Sequence, residues 1–118
     1  VCIALKRRGE FVAGVLYENW TGRSVVCHIA IEGRITSAYL AAIFHYPYVH
    51  LGLDKIIAPV AESNSDCRRL VEHMGFTEEA RIVDAHPDGA ILLYTMKPEA
   101  CRFIGEKYGK RLKPAAGT

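Results

Sequence analysis

A histidine stands inside an otherwise apolar run, Ser-Val-Val-Cys-His-Ile-Ala-Ile, at residues 24–31. Imidazole titrates near neutral pH, so His28 could take a proton from a substrate. It could equally be a core imidazole satisfied by one hydrogen bond. Four residues on, Glu32 closes the run, and a carboxylate there could relay protons through water. A second chemical signal lies in Val60-Ala61-Glu62-Ser63-Asn64-Ser65-Asp66-Cys67. Three capping residues, Ser63, Asn64 and Ser65, follow an apolar stretch, and Asp66 adds negative charge to the first turn of a helix. A helix N-terminus straight after a buried strand is also where small polar ligands dock.

Other residue types that do chemistry are scattered. The four cysteines, Cys2, Cys27, Cys67 and Cys101, form no C-x-x-C pair, which argues against zinc. Three of them lie in apolar runs, where a free thiol behaves as a small hydrophobe, and this points to a reducing cytoplasm. An even count leaves disulfides open. His45, His50, His73 and His86 show no metal-ligand spacing, so no metal is expected. The net charge is +2 over 118 residues, with no stripe of Lys and Arg interleaved with aromatics. No nucleic-acid partner is expected on that basis. Lys6-Arg7-Arg8 reads as an exposed turn and Arg68-Arg69 as a solvated helix face. No apolar run approaches the ~20 residues that span a bilayer, so no membrane partner is expected.

The elements that must position these residues follow from periodicity. Residues 1–6 and 11–19 read as a hairpin turning at Arg8-Gly9-Glu10, and residues 24–31 as a third, β-branched strand. Thr36 is a good N-cap for a helix with Tyr39, Leu40, Ile43 and Phe44 on one face, which Pro47 should kink or end and Gly52 should close. Residues 53–61 read as a short buried strand, disturbed at Pro59. Cys67, Leu70, Val71 and Met74 then form the apolar stripe of a second helix. Gly75 is placed to cap it in the left-handed conformation, with Phe76 folding back on Val71. Two strands around His86-Pro87-Asp88-Gly89 and a short helix at Pro98 complete the order β-β-β-α-β-α-β-β. Residues 1–104 are expected to form one domain and residues 105–118 a mobile basic tail. The apolar edge hairpin could pair with a second chain, as in a homodimer.

Residues 51–82, LGLDKIIAPVAESNSDCRRLVEHMGFTEEARI, resemble the GNAT-type N-acetyltransferases, which use acetyl-CoA. The matching features come in order: Leu51-Gly52 ending a helix, a strand at residues 56–60, Asn64, a short helix, Met74-Gly75-Phe76 and a further strand. Covered loosely, the resemblance runs from Val1 to about Met96, and its flavour is that of small GNAT-like proteins of phages and prophages. It implies an α/β fold with a mixed, mostly antiparallel sheet flanked by helices. The family's first strand and first helices are then expected to lie outside this chain, which begins at Val1 in a strand-like run.

The resemblance also implies a site. Two neighbouring parallel strands, residues 25–31 and 55–60, splay apart and admit the pantetheine arm. The backbone of Ile29, Ala30 and Ile31 faces the thioester and supplies an oxyanion donor. Gly33, Arg34, Ile35, Thr36 and Ser37 form the loop and helix start that meet the pyrophosphate. The family's loop is Arg/Gln-x-x-Gly-x-Gly/Ala. Here Gly33 stands, Arg34 adds charge, and the second glycine is missing. Asn64 holds the cofactor arm, the helix start, or both. The tyrosine that many relatives use as the thiolate's acid is matched by Val71. Relatives that acetylate ribosomal-protein N-termini often have Ser three residues after the Asn, where this chain has Cys67. Cys67 is then either a neutral thiol that donates a proton or a buried structural residue. His28 is the candidate base, with Glu32 second. Tyr94 either reaches the cleft from the acceptor side or simply packs its ring. The implied activity is direct, metal-free transfer of an acetyl group from acetyl-CoA to an amine of a small molecule or protein. A second reading keeps the fold but not the catalysis, as a CoA-binding or protein-interaction module.

Overall fold

Residues 1–104 are described here by a computed structural model. The expected order of elements is the one found. Strands β1 (Cys2–Arg7) and β2 (Glu10–Glu18) form a hairpin. Its two turn residues, Arg8 and Gly9, both have positive φ, 55° and 82°, the twist that suits a two-residue hairpin loop. β3 (Ser24–Ile31), α1 (Ser37–His45), β4 (Lys55–Ala61), α2 (Ser65–Met74), β5 (Thr77–His86) and β6 (Gly89–Met96) follow. Two single 3-10 turns, Pro98–Ala100 and Arg102–Ile104, replace the short helix expected at Pro98. The expected basic tail falls outside the described residues.

The six strands form one sheet in the order β1-β2-β3-β4-β6-β5. β3 and β4 are parallel and every other pairing is antiparallel. Each helix links two strands that run the same way, β3 to β4 and β4 to β5, and both connections step in the same direction across the sheet. The right-handed rule for such crossovers places α1 and α2 on one face. The core fills the space between, where Val15 and Tyr17 of β2, Val25 and Cys27 of β3, Ile56 and Val60 of β4 and Leu92 and Tyr94 of β6 meet Ile43, Phe44, Val71 and Met74. Burying Val71 and Met74, each under 3% exposed, is worth about 1.5–3 kcal/mol per side chain and anchors α2. Among the described residues no helix covers the opposite face, where Leu16 is 43% exposed.

The helix ends have local causes. Thr36 Oγ1 accepts the N–H of Tyr39 at 3.0 Å and starts α1. Pro47 lacks the N–H that would reach Ile43, and the orphaned Ile43 carbonyl is satisfied instead by the buried Tyr17 hydroxyl. The segment expected to kink or end at Pro47 and close at Gly52 therefore divides: α1 stops at His45, and a π-helical turn, Tyr46–His50, closes with the Leu51 N–H on the Tyr46 carbonyl at 3.0 Å. α2 ends as anticipated. Gly75 sits at φ 112°, and the Gly75 and Phe76 N–H groups bond the Glu72 and Val71 carbonyls.

Candidate functional site

β3 and β4 pair over only three residues, from Ser24 with Lys55 to Val26 with Ile57. Beyond these the strands continue to Ile31 and Ala61, held on their outer sides by β2 and β6 but not by each other. A gap opens between them. Its cause lies in β4. The Lys55 N–H bonds the Arg23 carbonyl at 3.2 Å, and the Glu62 N–H bonds Ala90 of the β6 hairpin at 2.9 Å. Strand alternation then turns the nitrogens of Ile57 and Pro59 toward β3. Pro59 has no N–H, so the ladder lacks its donor at the position where pairing stops.

The other wall carries free donors. The Glu32 N–H bonds the Val12 carbonyl at 2.8 Å. The register of β2 on β3 is unbroken, so the N–H groups of His28 and Ala30 also turn to β2. Those of Ile29 and Ile31 point the other way, into the gap. Of the three residues expected to face a thioester with their backbone, Ile29 and Ile31 thus present donors to the gap and Ala30 does not.

The loop from β3 to α1 closes one end of this gap. Glu32 and Gly33 both give their N–H to Val12, the second at 3.2 Å. Gly33 packs so closely on Val12 that an added Cβ would lie 3.2 Å from Val12 Cγ1. Neither amide is therefore free for a ligand. What remains is the start of α1, where the N–H groups of Ser37 and Ala38 have no intrahelical partner. Ile35 is half-buried against the core, and Thr36 is committed to its cap. Two guanidiniums flank this start: Arg34 is exposed, and Arg7 donates to the Arg34 carbonyl at 3.1 Å.

The start of α2 lies beside the end of β4. Asn64 Oδ1 accepts the Cys67 N–H at 3.1 Å, and the Asn64 N–H bonds the Ala61 carbonyl at 2.9 Å. Asn64 thus ties the end of the gap's second wall to the helix. Cys67 is half-buried, and burial pushes its thiol above the ordinary range, so it stays protonated. Cys27, buried on β3, is pushed up to about 12, first by burial and then by the neighbouring Cys67. All four described cysteines are free.

Tyr94 and His28 occupy opposite faces. Tyr94 lies across from Ala58 under α2, where its hydroxyl donates to Glu72 Oε2 at 2.6 Å and accepts from Arg68 Nε at 3.4 Å. Burial, then the bond to Glu72, raises its pKa. His28 is on the open face, with its Nε2 2.6 Å from Glu18 Oε1. It is not a core histidine. Glu18, Glu72 and Pro59 were not among the residues singled out for chemistry. Their sequence signal is slight, since each acts through a partner on another element. Among the described residues, no three His, Cys, Asp or Glu side chains stand close enough to hold a metal ion. No described helix is long and apolar enough to cross a membrane.

No family model matches the chain, and no curated protein matches it. Solved structures do. A spermidine N-acetyltransferase, SpeG from Vibrio cholerae, superposes with a TM-score of 0.74 over 90% of this chain and 69% of its own, at 17% identity. A GNAT-family acetyltransferase from Bacillus anthracis gives 0.66 over 81% of this chain and 64% of its own, at 15% identity. The chain has the GNAT fold. A third protein with this architecture, the N-acetyltransferase PseH from Campylobacter jejuni in complex with acetyl coenzyme A, gives 0.63 at 16% identity, covering 82% and 67%. At these identities the likeness is one of fold. The chain spans 64% of the length of the Bacillus anthracis protein. The expected architecture, a mixed and mostly antiparallel sheet with flanking helices, is the GNAT architecture observed.

Proposed function

We propose that this chain binds acetyl-CoA in the gap between β3 and β4 and transfers the acetyl group to an amine. The observation that carries the reading is the gap itself. It pairs a wall of outward N–H groups, at Ile29 and Ile31, with a wall whose donor is missing at Pro59. An extended amide-bearing arm could bond both walls as a surrogate strand. The start of α1, with Arg7 and Arg34, offers N–H dipoles and positive charge to a pyrophosphate. Gly33 serves this by letting the loop lie on Val12 rather than by donating. Asn64 braces the far wall.

The chemistry assigns roles within this frame. An acceptor ammonium loses one proton to His28, or to Glu32 through water. The neutral nitrogen adds to the thioester carbonyl, and the outward N–H of Ile29 or Ile31 receives the developing oxyanion. The intermediate nitrogen loses its second proton, the C–S bond breaks, and the sulfur leaves as a thiol. Cys67, held neutral, is the candidate relay: its thiol gives a proton to that sulfur and takes the nitrogen's second proton in exchange. The Tyr94 hydroxyl donates its hydrogen bond to Glu72, so in this scheme it organises α2 rather than the acceptor. A cytoplasmic setting accords with four free thiols.

A second reading keeps the cofactor and drops the catalysis. Val71 in the place of the acid, the missing second loop glycine and the commitment of the Glu32 and Gly33 amides to Val12 favour it. Two measurements on the full-length protein separate the readings. Acetyl-CoA at about 100 times its dissociation constant should add roughly 2.7 kcal/mol of stability. No thermal shift at millimolar acetyl-CoA overturns both. A shift without release of free CoA across a panel of amines leaves the binding module.

A further inference from the structure

On the face left open by the helices, Leu16 stands directly across from His28 and Glu18 across from Val26. Glu18 therefore meets His28 along the diagonal of the β2–β3 pair, a separation long side chains bridge. Its Oε1 lies 2.6 Å from His28 Nε2. The two side chains are 48% and 45% exposed, so a ligand on this face can reach the ring. His28 belongs to the part of β3 beyond its last pairing with β4, two residues past Val26. Among the described residues, its Nδ1 has no hydrogen-bond partner.

We propose that Glu18 is a positioning residue that holds neutral His28 as its Nε2–H tautomer and leaves Nδ1 as the nitrogen that takes the amine's proton. The inference rests on the acetyl transfer proposed above. A carboxylate only accepts, so the ring nitrogen bonded to it must carry the hydrogen. The other nitrogen then keeps its lone pair. When the acceptor ammonium gives one proton to Nδ1, the ring becomes an imidazolium with both nitrogens protonated, and the Glu18 carboxylate stabilises that charge. The amine lone pair forms the C–N bond, the C–S bond breaks, and the departing sulfur leaves with the second proton lost by nitrogen. The imidazolium returns its proton to water. Without Glu18 the ring turns and exchanges tautomers freely, and a share of the molecules present no base toward the gap.

The test compares Glu18→Ala, which removes acceptor and charge, with Glu18→Gln, which keeps an acceptor oxygen. Long-range nitrogen–proton spectra of the neutral His28 ring should show the proton on Nε2. Finding it on Nδ1 in the wild type overturns the proposal. Turnover per folded molecule should fall about 10- to 100-fold in Glu18→Ala, with KM for acetyl-CoA unmoved, and Glu18→Gln should recover most of the loss. The double variant of Glu18→Ala with His28→Gln should be no slower than His28→Gln alone. A Glu18→Ala protein that turns over like an active wild type overturns the positioning role. A wild type that releases no CoA with any amine overturns the transfer reading instead, so the two failures are told apart.

Discussion

In the β3–β4 register Pro59 comes level with His28, two residues past the last pair, Val26 with Ile57, and its nitrogen is turned toward the Cys27 carbonyl. A valine there would restore an N–H directed at β3. We expect Pro59→Val to lengthen the ladder and to add about 0.5–1.5 kcal/mol of stability, the net value of one hydrogen bond. The same change should narrow the gap and weaken acetyl-CoA binding about tenfold, which is ~1.4 kcal/mol. Thermal melting and calorimetric titration read the two effects separately. Stability gained with affinity unchanged would mean that the cofactor does not use the gap.

Asn64→Ala tests the far wall. Loss of the bond to the Cys67 N–H should cost about 1 kcal/mol of stability. If Asn64 also touches the cofactor arm, acetyl-CoA affinity should fall beyond what the lost stability explains. A lower melting temperature with unchanged affinity would leave Asn64 as a cap alone.

His28→Gln should lower turnover about 100- to 10,000-fold while sparing acetyl-CoA binding. Because the ring is half-exposed, the folded state should hardly notice the change. Turnover per folded molecule across pH is the measurement, and an undiminished rate would move the base to Glu32 or elsewhere.

Alkaline pH should destabilise the fold. Buried Cys27 and Tyr39 are each pushed up to about 12, from 9.0 and 10.0, chiefly by burial. The buried hydroxyls of Tyr17 and Tyr48 are raised for the same reason and donate to the carbonyls of Ile43 and Met96. The unfolded chain releases these protons first, so stability present below pH 9 is lost as pH rises toward the folded values. Cys27 alone can contribute up to about 1.4 kcal/mol per pH unit in that window. Melting temperatures from pH 8 to pH 11 should fall, and the fall should be shallower in Cys27→Ala.

The amino-acid sequence by itself determined the features whose physics is local. The caps at Thr36, Asn64 and Gly75 were legible because donor and acceptor lie within a few residues of one another. The break at Pro47 was legible because a missing N–H ends a helix wherever it is, although the π-helical turn that follows was not. Alternation and helical stripes sufficed for the order of elements. The tertiary structure decided everything that depends on register. Pro59 reads as a disturbance in any strand, but only the pairing of Lys55 with Ser24 shows that its absent donor faces β3. His28 looked equally suited to a core, and the β2–β3 register put it on the open face beside Glu18, ten residues away in the chain. Tyr94 went to the helix face with Glu72, 22 residues distant. A strand's side chains change face with every one-residue slip, so the partners of these groups belong to the assembled sheet and not to any single strand.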